Sequence, residues 1–167
     1  MTYHPRGALP ITLDPVLRAV GFALWQTQDT ENALVHHLVL VHEFPAGGAI
    51  AEVEAAFEEA SKQPLGRLLS RLRVHDHASQ ALVSRLGPFL GDRNWLVHRS
   101  RLTNRADLYH VDRTEAFLAR LTAIADAALG LSKAIQASTE THLETRGVSK
   151  AYIDAKAEEI RRAWVEA

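Results

Sequence analysis

A chain of 167 residues with 47% apolar residues suits one compact domain with a sizeable core, and its lack of cysteine excludes disulfide scaffolds and thiolate metal sites. No apolar run approaches the ~20 residues that a membrane span needs, and no basic-then-apolar leader opens the chain, so the expectation is a soluble cytoplasmic protein with no membrane partner. The net charge of −1 hides an asymmetry: nine basic residues between Lys62 and Arg105 face only Asp76 and Asp92, which makes that block +7 and the remainder −8.

Residues 1–13, with Pro5, Gly7 and Pro10, show no sustained period and read as an extended or flexible lead-in. Asp14-Pro15 predicts a helix start, an N-cap followed by a proline whose missing N–H costs nothing. Apolar residues at Leu17, Val20 and Leu24, and again at Leu34, Val35, Leu38 and Val41, carry that helix to about His42. Its polar middle, Gln26 to Asn32, marks a candidate break near Asp29. Ile50, Val53, Phe57 and Ala60 predict a second helix that Pro64 ends, and Leu65, Leu68, Leu69 and Leu72 a third, with Arg67 and Arg71 on its other face. A fourth, capped by Asp76, is expected to stop at Gly87-Pro88 or just after. A fifth, capped by Asp92, covers Arg93 to about Leu102. Asp112 and Glu115 resemble a capping box opening a long sixth helix through Ile135. After Gly147, Ser149 caps a last helix with Tyr152, Ile153, Ile160 and Trp164 on its apolar side, packed on the rest of the chain or on a partner.

No segment alternates with period two, and no Asn-Gly or Asp-Gly hairpin turn occurs. The fold class expected is all-α: a single-domain bundle of about five to seven helices over residues 14–146, followed by the helix of 147–167.

The stretch Gly91-Asp92-Arg93-Asn94-Trp95-Leu96-Val97-His98-Arg99-Ser100-Arg101 carries the chemistry. With Asp92 as N-cap, Arg93 takes the first helical position, where little holds its side chain. Asn94 and His98 are four apart and share a face, with Arg101 further along the same stripe. A helix start also offers unpaired N–H groups and a positive dipole end to an anion. Arginine can stabilise the charge of a pentacovalent phosphorus, and histidine, with a reference pKa near ~6.5, can move a proton at neutral pH. Asparagine can orient the imidazole or bind a ribose hydroxyl. The plainer alternative is an Arg-Asn pair at a helix start and a histidine packed on a neighbouring helix. Arginine outnumbers lysine fifteen to four. That fits phosphate recognition, and it fits equally well solvated helix faces paired with acidic neighbours.

A chain of helices leading to Arg93-Asn94-x-x-x-His98 resembles the HEPN domain, whose hallmark is R-x(4–6)-H, often with a polar residue directly after the arginine. The likeness covers roughly residues 14–140. It implies a metal-independent endoribonuclease of the toxin or defence type, acting as a homodimer whose two motifs share a cleft. It also implies catalytic roles for Arg93 and His98, with Asn94 as their supporting polar residue, and a possible antitoxin partner. Some relatives paired with a nucleotidyltransferase antitoxin carry a tyrosine two residues after the histidine, where this chain has Ser100; others are binding modules without catalysis. The expected reaction is attack of a ribose 2′-hydroxyl on the adjacent phosphate of single-stranded RNA. One His98 does not readily serve as base and acid in one step, so a second copy supplying a second His98 is expected on physical grounds. Arg99, Arg101 and Arg105, with Arg67 and Arg71, would grip the RNA backbone.

Trp95 reads as a core residue, with a stacking platform as the alternative. His36, His37 and His42, and His75-Asp76-His77, match no metal template, and no phosphate loop or dinucleotide fingerprint occurs, so no metal and no cofactor are expected. His36 and His37 cannot both face one side of a helix. The competing reading is a non-catalytic module that docks a nucleotide, nucleic acid or protein through the same segment; a helical DNA-binding protein ranks last.

Overall fold

The structure, a computed structural model, describes residues 13–43, 50–74 and 80–166. The fold is all-α: seven α-helices and no strand among the described residues. In chain order these are α1 (Leu13–His37), a π-helical segment (Leu38–Glu43), α2 (Ile50–Ser61), α3 (Leu65–Val74), α4 (Gln80–His98), the short α5 (Ser100–Asn104), a 3₁₀ turn (Asp107–Tyr109), α6 (Val111–Thr145) and α7 (Lys150–Glu166). No described helix is long and apolar enough to cross a membrane.

The described residues group into two compact units, each taking part of α1 and part of α6. The first joins residues 13–31 with 80–131. Its core is Val16, Ala23, Leu96, Phe117, Leu121, Ile124 and Ala125, with Val20, Leu24, Trp95 and Leu108 packed against it. The polar middle of α1 does not break the helix near Asp29, contrary to expectation. Thr27 and Thr30 are buried there, and their hydroxyls donate to the carbonyls of Ala23 (2.7 Å) and Gln26 (2.9 Å). Thr30 donates also to the Ala128 carbonyl of α6, at 2.9 Å. Hydroxyls that find acceptors inside are tolerated in a helix core, so Thr27 and Thr30 form a buried face of the continuous helix, with Gln28, Asp29 and Asn32 exposed. Asp14 lies inside the first turn, where it pairs with Arg18 one turn on at 2.7 Å.

A second correction concerns α4. The fourth and fifth helices expected from the sequence are one helix, with Pro88 inside it. An interior proline removes one backbone bond and costs about 3 kcal/mol. Leu86, Phe89 and Leu96, buried on both sides of Pro88, offset that cost through burial worth roughly 1.5–3 kcal/mol apiece. Asp92 therefore caps nothing; it faces Arg120 at 3.6 Å. A real break comes at Arg99 (φ −124°, ψ −22°), between α4 and α5. Likewise α6 begins at Val111, so Asp112 lies in its first turn instead of capping it, and the Thr114 hydroxyl donates to the carbonyls of Asp107 (2.9 Å) and His110 (3.0 Å).

The second unit joins residues 32–43 and 50–74 with 132–166. Helical structure does reach His42, but it widens to π geometry from Leu38, and α2 and α3 both contact that π segment. Leu34, Leu38, Leu68, Leu72 and Ile135 are fully buried. Gly147 adopts φ 86° after α6, with Val148 N–H bonded to the Leu143 carbonyl and Gly147 N–H to that of Glu144, both at 3.0 Å. That paired closure needs a residue free of the Cβ penalty at positive φ. Ser149 then caps α7, its Oγ accepting from Tyr152 N–H at 3.3 Å, as the sequence predicts. The proposed cap Asp76 and the pair His75 and His77 lie outside the described residues.

Candidate functional site

The continuity of α4 changes what the motif offers. Arg93 and Asn94 sit well inside the helix, where backbone N–H groups are already bonded, so no free helix N-terminus stands beside them to attract an anion. Arg93 is not held loosely either. Its Nε donates to Glu31 Oε1 of α1 at 2.7 Å, with both side chains about a quarter exposed. Nη1 reaches Asn94 Oδ1 at 3.5 Å, the outer limit of a hydrogen bond. Glu31 is the residue that sequence reasoning missed. Only its polar position on α1 could have hinted at a role, and nothing in the local pattern names its partner.

Asn94 and His98 are both exposed, one turn apart, and together line an open concavity of about 500 Å³ with Gly91, Trp95 and Arg99. His98 also lines a second concavity of about 400 Å³ with Val97, Arg101, Leu102 and Arg105. Arg93 lines neither. The structure thus brings Asn94, His98, Arg99, Arg101 and Arg105 to one exposed region, and sets Arg93 beside it in an ion pair. Among the described residues, no hydrogen bond or ion pair engages the side chains of His98, Arg99, Arg101 or Arg105. Three unpaired guanidinium groups around an accessible imidazole leave a local positive potential that suits phosphate oxygens.

Trp95 is half-buried. Its ring meets Phe117 edge-on at 6.1 Å between centroids, and the Arg120 guanidinium sits over it at 3.5 Å from the ring centre. One face of the indole is therefore taken by a cation–π contact, which fits the core reading better than a base-stacking platform. Ser100, two residues after His98, is buried and donates to the Leu96 carbonyl at 2.6 Å.

Arg67 and Arg71 belong to the second unit. Arg67 is exposed. Arg71 is half-buried and grips both carboxylate oxygens of Glu43, with Nη1 also donating to Gln63 at 2.9 Å. Its guanidinium is spent on holding α3 to the π segment. Four imidazoles lie among the described residues of this unit. His37 is buried, with Nδ1 at 2.9 Å from Thr139 Oγ1, and its ring meets that of His42 edge-on at 5.3 Å. Burial, helped by the nearby His42 and His142, pushes the His37 pKa down from 6.5 to about 4. His36 is exposed, and its ring meets that of Phe57 at a tilt of 49°, 4.8 Å between centroids. No group of three acidic, histidine or cysteine residues among the described residues has metal-binding geometry.

Against protein-family models, curated proteins and solved structures, the chain matches none.

Proposed function

We propose that the face built by Asn94, His98, Arg99, Arg101 and Arg105 binds RNA and cleaves it without a metal, as a ribonuclease of the HEPN toxin or defence type. The observation that carries this reading is the exposed His98 beside Asn94, ringed by three guanidinium groups, with no partner for the imidazole and no acid neutralising the guanidinium groups among the described residues. The arginines hold the phosphate backbone of a single strand, His98 takes the proton of the attacking 2′-hydroxyl or gives one to the leaving 5′-oxygen, and Asn94 orients substrate or imidazole. Arg93, adjacent and charged, adds to the field that stabilises the phosphorane; its bond to Glu31 fixes the guanidinium in place. Two His98 residues, from the two subunits of a homodimer, divide the base and acid roles. A cytoplasmic setting and an antitoxin that covers this face belong to the same reading.

The Glu31–Arg93 pair favours a second reading. A guanidinium already neutralised by a carboxylate contributes less to transition-state charge, which suits a module that binds nucleic acid without cutting it. Incubation of labelled single-stranded RNA with the protein and EDTA, at low and moderate salt, separates the two. Cleavage that persists in EDTA and disappears in His98→Ala supports the enzyme. Salt-sensitive binding with intact RNA supports the module, and a fully active His98→Ala protein overturns the catalytic assignment.

A further inference from the structure

No residue of α7 is buried, although the helix has a continuous apolar stripe. Ile153, Ala157, Ile160 and Trp164 recur at spacings of four, three and four, the seam pattern of a two-stranded coiled coil. Ile160 is 52% and Trp164 78% exposed. A seam about 17 Å long from Ile153 to Trp164 (~1.5 Å of rise per residue), with Ile153 partly covered and the rest exposed, is an interaction surface in want of an occupant.

The charges beside the seam say which occupant and in which direction. Asp154 and Arg161 flank it in one row, Lys156 and Ala163 in the other. Suppose a second α7 lies antiparallel, so that Ile153 meets Trp164 of the partner subunit and Ala157 meets Ile160 of the partner subunit. Asp154 then falls opposite Arg161 of the partner subunit, and the two-fold axis repeats that attraction. The second row sets Lys156 against Ala163 of the partner subunit, without conflict. A parallel, in-register pair instead places Lys156 beside Arg161 of the partner subunit, twice, and like charges there repel. The stripe is thus self-complementary in one orientation only, the property a two-fold interface requires. Within the chain, Asp154 lies 3.6 Å from Lys150, and Arg161 pairs with Glu158. These exposed pairs are worth little and can be exchanged or shared on association.

We infer that α7 is a homodimerisation helix, pairing antiparallel with α7 of a second copy through Ile153, Ala157, Ile160 and Trp164. This inference does not depend on any activity at His98. The seam is short, so a dissociation constant in the micromolar range or weaker is expected, with the monomer visible on dilution.

Sedimentation equilibrium over a micromolar to millimolar series of the full chain tests the pairing. The wild type should dimerise reversibly, and Ile160→Glu should abolish association with unchanged helix content by circular dichroism, since the position is exposed. Asp154→Arg and Arg161→Asp should each weaken the dimer by about fivefold or more, through two symmetric like-charge contacts. The double variant Asp154→Arg/Arg161→Asp should regain wild-type affinity. A wild type that stays monomeric throughout overturns the inference. So does a dimer indifferent to Ile160→Glu, or a double variant as weak as either single one.

Discussion

His98 and His37 are the same residue in two environments. In the unit of residues 13–31 and 80–131, the α4 motif stands at the surface: Asn94 and His98 are exposed, and Arg99, Arg101 and Arg105 carry charge with no acidic partner among the described residues. In the unit of residues 32–43, 50–74 and 132–166, His37 is buried, hydrogen-bonded to Thr139, and held neutral by its surroundings. Arginines divide in the same way, Arg101 open and Arg71 clamped by Glu43 and Gln63. Residue type alone therefore assigns no role. An imidazole or guanidinium contributes to chemistry where solvent and substrate reach it, and to packing where its bonds are already used.

The contrast is broken most sharply by exchanging each histidine. His98→Ala is expected to lower RNA cleavage by at least about 10²-fold, read from single-turnover assays, with little change in melting temperature. His37→Ala should do the reverse, destabilising the fold while leaving cleavage per folded molecule unchanged. Activity lost equally in both variants would mean that the two sites are not separate in role.

Core truncations come next and probe each unit in turn. Leu121→Ala in the first unit and Leu72→Ala in the second each remove a side chain with no exposed surface, and should cost about 2–5 kcal/mol in urea denaturation. Of similar size is the pH effect at His37. Its folded pKa of about 4 lies below the ordinary 6.5, so the folded state resists protonation. Stability is then full above pH 6.5 and falls as pH drops from 6.5 towards 4, by on the order of 3 kcal/mol. Denaturation midpoints at pH 7.5 and 4.5 check this, and His37→Gln should flatten the difference.

Two smaller effects sharpen the reading of α4. Glu31→Gln removes the carboxylate that neutralises Arg93, at a stability cost of about 1 kcal/mol, and should tighten RNA binding severalfold, with a steeper salt dependence measured by fluorescence anisotropy. Unchanged binding would show that Arg93 is a structural strut alone. Gly91→Ala adds a Cβ that meets nothing within 4 Å, so α4 should gain about 0.5–1 kcal/mol in thermal denaturation.

Much of the fold is legible in the chain because helical periodicity is a local property. The stripe Leu65, Leu68, Leu69 and Leu72 predicts α3 and its buried face, and Ser149 with Gly147 predicts the entry to α7. Errors arose where a local signal met a tertiary one. Pro88 and Asp92 read as a stop and a start, yet Leu86, Phe89 and Leu96 bury one continuous face across them. Thr27 and Thr30 read as a polar interruption until the Ala128 carbonyl is seen to accept from Thr30, 98 positions away. The site was legible to the same degree. The spacing of Asn94 and His98 places them on one face, but Glu31, which decides whether Arg93 is free, lies 62 positions from it.

The sequence by itself determined an all-α chain, the approximate reach of most of its helices, and a basic, histidine-bearing segment near the middle, because each follows from residues within a few turns of one another. Only the tertiary structure decided that α4 is unbroken, that among the described residues Arg93 is paired while Arg101 and Arg105 are not, that His37 is buried and His98 exposed, and that Ala157, Ile160 and Trp164 of the α7 stripe stay exposed. Those outcomes depend on which distant carboxylates, carbonyls and apolar surfaces arrive beside a side chain, and chain spacing holds no record of them.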